Sequence, residues 1–152
     1  MHNQSETNWD ILADTDRTDQ AYATGKRSVL IMDDEPAIRE VISSMLEIDG
    51  YRVQVSENGE NAVDTYRQAL ESGCPFDTVI IDLCVPNSMG GEETISALAV
   101  LDPQVKIIIT TGDATNPSLE RFAGRGYRDV LPKPFAFSDL SRLVRLSIEG
   151  CA

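Results

Sequence analysis

Five polar residues in this sequence each follow an apolar run, and together they could hold a metal ion and a phosphoryl group. They are three carboxylates, one hydroxyl and one amine: Asp33, Asp34, Asp82, Thr111 and Lys133. Carboxylates held close together repel one another, and protonation or a cation relieves the repulsion. Mg²⁺ suits this role because it takes oxygen ligands and usually accepts only one or two protein carboxylates together with phosphate oxygens. A bound phosphoryl group would share its charge among Mg²⁺, the Lys133 ammonium and the Thr111 hydroxyl, so that the Asp82 carboxylate could attack phosphorus in line.

Short apolar runs predict the strands that would carry these residues. Residues 29–32 and 79–81 are apolar at every position, which is typical of strands buried on both faces of a parallel sheet. Residues 51–55 alternate between apolar and polar, as in a half-exposed edge strand, and further strands are predicted at 105–111 and 129–131. The carboxyl ends of parallel strands lie at one edge of a sheet, so the five polar residues should converge there. An acidic pair is usually solvated and a lone lysine is usually on the surface, but their placement at consecutive strand ends argues against coincidence.

Helical patterns separate the strands. Apolar residues recur at helical spacing from Pro36 to Gly50 and again over residues 62–70. Further helices are predicted near residues 92–100, 118–123 and 138–148. Five strands that alternate with five helices indicate an α/β fold, with a parallel sheet covered by helices on both faces.

Length and composition limit the domain organisation and the classes of function. The 152 residues predict one folded domain at 28–149, a polar, acidic and flexible tail or linker at 1–27, and a short C-terminal tail at 150–152. The formal net charge of −12 argues against binding to nucleic acid or to an anionic membrane. No apolar run approaches the roughly 20 residues that cross a bilayer, and no signal peptide is recognisable, so we expect a cytoplasmic location.

Cysteine and histidine usage excludes several kinds of site. The three cysteines, Cys74, Cys84 and Cys151, form no CxxC motif, which favours free thiols over a disulfide framework or a zinc site. His2 is the only histidine and lies in the polar N-terminal segment. A hydrolase triad and a histidine phosphodonor within the folded domain therefore both lack their essential residue.

Four motifs in this order resemble those of the response-regulator receiver family, in particular the receivers of hybrid sensor histidine kinases. They are Asp-Asp-Glu-Pro at 33–36, Ile-Asp-Leu-Cys-Val-Pro at 81–86 followed by Met-Gly-Gly at 89–91, Thr-Thr-Gly at 110–112, and Leu-Pro-Lys-Pro-Phe at 131–135. The resemblance covers residues 28–149. It implies a flavodoxin-like (βα)5 three-layer sandwich whose five-stranded parallel sheet has the order 2-1-3-4-5.

The resemblance also assigns roles to individual residues. Asp82 would be the phosphoacceptor, Asp34 a direct Mg²⁺ ligand, Asp33 a ligand or a water-mediated neighbour, and the backbone carbonyl of Cys84 the third protein ligand. Lys133 would pair with the phosphoryl oxygens, and its bond to Pro134 resembles the family's cis peptide. Thr111 is preferred over Thr110 as the switch hydroxyl, because it ends the apolar strand and precedes Gly112.

Three positions depart from the family pattern. Val130 stands where many receivers have Tyr or Phe, so the usual rotation of an aromatic ring is in doubt. Cys84 occupies a position that is more often polar, and we expect a small buried thiol without a redox role in preference to the alternative, a redox sensor. Ala136 replaces the Ser, Thr or Asp that often caps the last helix, which would loosen its start.

The predicted function is a phosphorelay receiver that is phosphorylated by a histidine kinase or a histidine phosphotransfer protein and is not otherwise an enzyme. A phosphatase with an aspartyl nucleophile would need a DxDx[TV] motif, and a flavodoxin would need a Ser/Thr/Gly-rich loop after strand one; residues 33–36 fit neither. A phosphorylation-independent interaction module is the remaining alternative. Exposed basic residues on the last helix, Arg142 and Arg145, could serve a homodimer face, although such residues are usually only solvated.

Overall fold

The computed structural model describes residues 26–84, 89–113, 115, 119 and 127–149. Five parallel strands form one sheet of order β2-β1-β3-β4-β5. The strands are β1 (Ser28–Met32), β2 (Arg52–Ser56), β3 (Thr78–Asp82), β4 (Ile107–Thr111) and β5 (Tyr127–Pro132). Four helices lie within the described ranges: α1 (Pro36–Ile48), α2 (Gly59–Glu71), α3 (Gly91–Leu101) and α4 (Phe137–Glu149). The flavodoxin-like fold and the strand order predicted from the sequence are confirmed.

Strand position in the sheet follows the hydrophobic pattern. All five residues of β3 and of β4 are buried, and so are the last four of β1, because these strands have neighbours on both sides and helices on both faces. Strand β2 lies at the edge and is half-exposed, but the predicted alternation fails at its end, where Val55 is exposed together with Gln54 and Ser56 is buried. Register partners such as Ile80 and Ile108 place like residues on the same face of the sheet.

Each face of the sheet carries its own hydrophobic cluster. Helices α2 and α3 cover one cluster, which includes Leu30, Ile81 and Ile109. Helices α1 and α4 cover the other, which includes Ile31 and Ile80. Successive strand residues point to opposite faces, so one apolar strand contributes to both clusters.

Element boundaries differ slightly from the predictions. Strand β4 begins at Ile107 and not at Val105, because the Val105 N–H donates to the Asp102 carbonyl in a turn (3.0 Å). Strand β5 is longer than predicted, and α4 begins one residue early, at Phe137. The predicted helix at 118–123 falls almost entirely outside the described residues, as do the predicted tails apart from Lys26 and Arg27. Within the described ranges, no helix has both the length and the apolarity needed to span a membrane.

Candidate functional site

Three carboxylates meet at the carboxyl edge of the sheet. Asp33 and Asp34 follow β1 directly, and Asp82 is the last residue of the neighbouring strand β3. One carboxylate oxygen from each of the three lies within 4.8 Å of the others. Asp33 and Asp82 are buried, whereas Asp34 is partly open to solvent.

Lys133 brings a positive charge to this cluster from the end of β5. Its Nζ lies 2.9 Å from Asp33 Oδ2 and 3.4 Å from Asp82 Oδ2. The Lys133 N–H donates to the Thr111 carbonyl (2.8 Å), and the peptide bond to Pro134 is cis, as the resemblance implied. Burial alone would lower the pKa of Lys133, but the hydrogen bond to Asp33 and the charges of Asp82 and Asp33 outweigh it and raise the pKa above 10.5.

The two buried aspartates have different surroundings. Asp33 uses both carboxylate oxygens: Oδ1 accepts from the Glu35 N–H (2.9 Å) and Oδ2 from Lys133. Asp82 Oδ1 accepts from the Cys84 N–H (3.2 Å). Burial raises the pKa of Asp82 above its ordinary value, and the charge of Asp33 adds to this; the Cys84 N–H and Lys133 oppose it. The site therefore resists the accumulation of negative charge and favours a cation.

Thr111 and Thr110 are both buried at the end of β4 but make different contacts. The Thr111 hydroxyl donates to the Asp113 carbonyl (3.2 Å) and accepts from the Asp113 N–H (3.0 Å). The Thr110 hydroxyl donates to the Ile81 carbonyl at 3.5 Å. In this arrangement the Thr111 hydroxyl bonds to the backbone of the loop after β4. The groups that the structure brings together are the carboxylates of Asp33, Asp34 and Asp82 and the Lys133 ammonium.

Comparison with known proteins assigns this arrangement to a family. The profile of the response regulator receiver domain matches residues 29–145. The chain belongs to the response regulator receiver family. It is a receiver domain of two-component signalling, which confirms the resemblance to the receiver family.

Individual relatives agree with this assignment. The receiver is 32% identical over 119 residues to response regulator MprA of Mycolicibacterium vanbaalenii, covering 77% of this chain and 48% of MprA. It thus spans about half the length of that relative. The receiver domain of sensor histidine kinase PA1611 from Pseudomonas aeruginosa, a structure with a magnesium ion in the active-site cleft, is 26% identical with a TM-score of 0.71, covering 82% of this chain and 98% of that one. Response regulator TrrA from Thermotoga maritima, in complex with Mg²⁺ and BeF, is 29% identical with a TM-score of 0.67, covering 80% of this chain and 98% of that one.

Mg²⁺ fits the donor set of this receiver. Among the described residues, the cluster offers carboxylate oxygens from three residues and neither a nitrogen nor a sulfur ligand. Hard oxygen donors select Mg²⁺ over softer metals. A divalent ion would also offset the burial and, with it, the charge of Asp33, which raise the pKa of Asp82.

One departure from the family pattern needs correction. The prediction that Cys84 is a buried thiol is wrong: Cys84 is exposed, because the chain leaves the sheet immediately after the buried Leu83. Val130 is partly buried and packs against the cluster under α2 and α3. Ala136 offers only its carbonyl at the start of α4, which accepts from the N–H groups of Asp139 and Leu140.

Two supports of the site were not predicted. The Arg39 guanidinium donates to the Asp33 carbonyl (2.7 Å), and the Asp33 N–H donates to the Ser56 carbonyl (3.1 Å). Arg39 lies one turn into α1 from Pro36, so a basic residue this close in sequence to the acidic loop could have predicted the contact. The contact with Ser56 depends on the β1–β2 register and has no signal in the residue types.

Proposed function

We propose that this receiver accepts one phosphoryl group on Asp82 in a Mg²⁺-dependent reaction and signals through the resulting change in conformation. The observation that carries the proposal is the cluster of three carboxylates within 4.8 Å, bridged by Lys133. The donor would be a histidine kinase or a histidine phosphotransfer protein in the cytoplasm. The folded unit proposed for this role spans residues 28–149.

The hydrogen bonds distinguish the proposed metal ligands. Both carboxylate oxygens of Asp33 have close partners at 2.9 Å, whereas the contacts of Asp82 are longer, at 3.2 and 3.4 Å, so we assign Asp33 to water-mediated contact with the ion. Asp34 and Asp82 would provide the direct carboxylate ligands, and the Cys84 carbonyl the third protein ligand. When bound, Mg²⁺ supplies charge neutralisation for an incoming phosphoryl group.

The remaining residues would act on the phosphoryl group itself. A carboxylate oxygen of Asp82 forms a bond to phosphorus as the bond from phosphorus to the donor's imidazole nitrogen breaks, and that nitrogen keeps the electron pair. Lys133 would exchange its contact with Asp82 for the phosphoryl oxygens while it keeps Asp33. Thr111 would turn its hydroxyl from the Asp113 backbone toward the phosphoryl group.

Phosphorylation by a small donor tests this assignment. Acetyl phosphate with Mg²⁺ should add one acid-labile phosphoryl group to the wild type and none to Asp82→Asn, and EDTA should prevent labelling. Asp139→Asn, which removes an exposed carboxylate on α4, is the matched control and should be labelled like the wild type. Equal labelling of Asp82→Asn, or labelling undiminished by EDTA, would show that the site is misassigned. A wild type that is never labelled by acetyl phosphate or any phosphorylated histidine protein would favour the phosphorylation-independent module.

The exposed side of α4 is also proposed as a homodimer surface. Arg142, Arg145 and Leu146 are exposed there within about one turn of one another. Sedimentation of the protein with and without beryllofluoride measures this directly, and a monomer under both conditions at high concentration would exclude it.

A further inference from the structure

The first turn of α2 holds the far end of the loop that begins at Asp82. The Gly59 N–H donates to the Met89 carbonyl (3.2 Å), and the Met89 N–H donates to the Glu60 carboxylate (3.3 Å to Oε2 and 3.4 Å to Oε1). The first amides of a helix have no partner within the helix. The Asn58 side chain caps the Asn61 N–H (2.9 Å), and the Met89 carbonyl takes the Gly59 N–H, which that cap does not reach.

Close backbone approaches fix the same segment from two sides. A Cβ on Gly59 would lie 2.6 Å from the Met89 carbonyl oxygen, so only glycine lets α2 come this near. A Cβ on Gly91 would lie 2.6 Å from Leu83 Cα and 2.8 Å from the Asp82 carbonyl oxygen. Residues 89–91 therefore pack between the start of α2 and the end of β3.

The start of α2 is tied to the carboxylate site as well as to the loop. The Ser56 hydroxyl donates to the Asn58 carbonyl (2.9 Å), and the Ser56 carbonyl accepts from the Asp33 N–H (3.1 Å). The segment at the start of α2 therefore contacts both Asp33 and the far end of the loop that follows Asp82. Gly91 packs directly on Leu83 Cα and on the Asp82 carbonyl, so the position of residues 89–91 bears on the backbone that leads to the Cys84 carbonyl.

We infer that Glu60 is a positioning residue for the phosphoacceptor site: its carboxylate fixes Met89, and residues 89–91 in turn support the Asp82–Leu83 backbone that leads to the Cys84 carbonyl at the metal site. The link to the metal rests on the proposed function, whereas the link to Met89 does not. Glu60 lies outside the carboxylate cluster and acts on the ion only through the loop.

Three variants separate this role from a general effect on stability. Glu60→Ala removes the acceptor, and Glu60→Gln keeps an amide oxygen that can accept the same N–H. Glu93→Ala is the matched control, because Glu93 is an exposed first-turn glutamate of α3. Its loss removes a comparable interaction with a helix dipole.

The first readout needs no metal and no phosphorylation. NMR hydrogen exchange of the Met89 amide should be about three- to tenfold faster in Glu60→Ala, as expected for loss of one ordinary hydrogen bond. Glu60→Gln and Glu93→Ala should exchange like the wild type. The second readout is the Mg²⁺ dissociation constant from NMR titration, which should weaken several-fold in Glu60→Ala and return toward wild type in Glu60→Gln.

The outcomes are distinct. Unchanged Met89 exchange in Glu60→Ala would overturn the anchoring role. Equal effects of Glu60→Ala and Glu93→Ala would show that only the loss of a negative charge at a helix N-terminus matters, which would also overturn it. Faster Met89 exchange with unaltered Mg²⁺ binding would overturn the link to the metal site. If the wild type bound no Mg²⁺, the proposed function would fail and the link to the metal with it, while Met89 exchange would still decide the anchoring.

Discussion

Removing the Lys133 ammonium should destabilise the metal-free receiver strongly, and Mg²⁺ should reverse much of the loss. Lys133→Met keeps most of the side-chain volume but removes the charge that Asp33 and Asp82 share, at 2.9 and 3.4 Å from its Nζ. At an effective dielectric constant of about 20, each contact has a gross Coulomb energy of about 5–6 kcal/mol. Most of this offsets desolvation, and removal of one partner from a buried pair typically costs about 3–5 kcal/mol net.

Burial decides the size of this effect more than distance does. The Lys133 side chain is 19% exposed and its partners 1% and 5%, whereas the Arg67–Asp64 pair at 3.0 Å has side chains 45% and 60% exposed. Arg67→Met is therefore the matched control, with an expected cost within about 0.5 kcal/mol. For a domain of this size, about 3–5 kcal/mol lowers the melting temperature by roughly 10–20 °C.

Thermal unfolding followed by circular dichroism, in EDTA and in Mg²⁺, measures both effects. The gain on adding Mg²⁺ should be larger for Lys133→Met than for the wild type, because the ion then has no ammonium to compete with. Without Lys133, the pKa of Asp82 should rise further above 3.8, and an ionised Asp82 then penalises the folded state. That penalty grows as the pH rises through the folded-state pKa, so the variant should recover relative to wild type as the pH is lowered from neutral toward that raised pKa. A melting temperature equal to that of Arg67→Met, or a loss that neither Mg²⁺ nor acid reduces, would refute the reasoning.

Three further predictions concern lifetime, switching and stability. By family analogy, the side chains of Cys84 and Asp113 would flank the path of the attacking water, so Asp113→Ala should slow and Cys84→Asn accelerate phosphate loss after the donor is removed; a decay in Asp113→Ala equal to or faster than that of the wild type would contradict this. Binding of beryllofluoride should shift NMR signals of the loops after β3 and β4 more than that of Val130, since valine has fewer distinct packings than a large aromatic ring; the largest shift at Val130 would oppose it. Ser147→Ala should lower the free energy of unfolding in urea by about 1 kcal/mol, because it removes a buried 2.7 Å hydrogen bond to Thr78; an unchanged value would exclude a net contribution from this bond.

The hydrophobic pattern predicted the sheet well, because the residues of each strand show by themselves whether that strand is buried on both faces or half-exposed. The runs ending at Met32 and Asp82 are apolar at nearly every position, and the structure buries them on both faces. The alternation around Val53 identified the edge strand for the same reason. Polar residues at the ends of neighbouring strands then had to share one edge of the sheet.

Contacts between loops could not be predicted in this way. The bond between Glu60 and Met89 joins residues 29 positions apart and depends on the packing of α2 beside α3. The prediction from residue type was also wrong for Cys84. Cysteine is usually buried, but Cys84 follows the point where the chain leaves the sheet and is exposed. The pairing of Lys133 with both Asp33 and Asp82 required the spatial order of β5, β4, β3 and β1.

The hydrogen bonds of the metal-free site also indicate why phosphorylation could switch this receiver. In the proposed reaction Thr111 loses its two bonds to the Asp113 backbone and Lys133 loses its 3.4 Å contact with Asp82. A neutral hydrogen bond of this kind contributes about 0.5–1.5 kcal/mol, whereas a bond to a charged group contributes about 1.5–3 kcal/mol. Thr111 thus gives up two neutral bonds, about 1–3 kcal/mol together, for one charge-assisted bond of about 1.5–3 kcal/mol, while Lys133 exchanges one charged partner for another. The two arrangements therefore lie close in free energy, and the rearranged loops are favoured only while the phosphoryl group is present. Because Lys133 keeps its 2.9 Å bond to Asp33, the movement should concentrate on the loop after β4, where Thr111 is linked to Asp113.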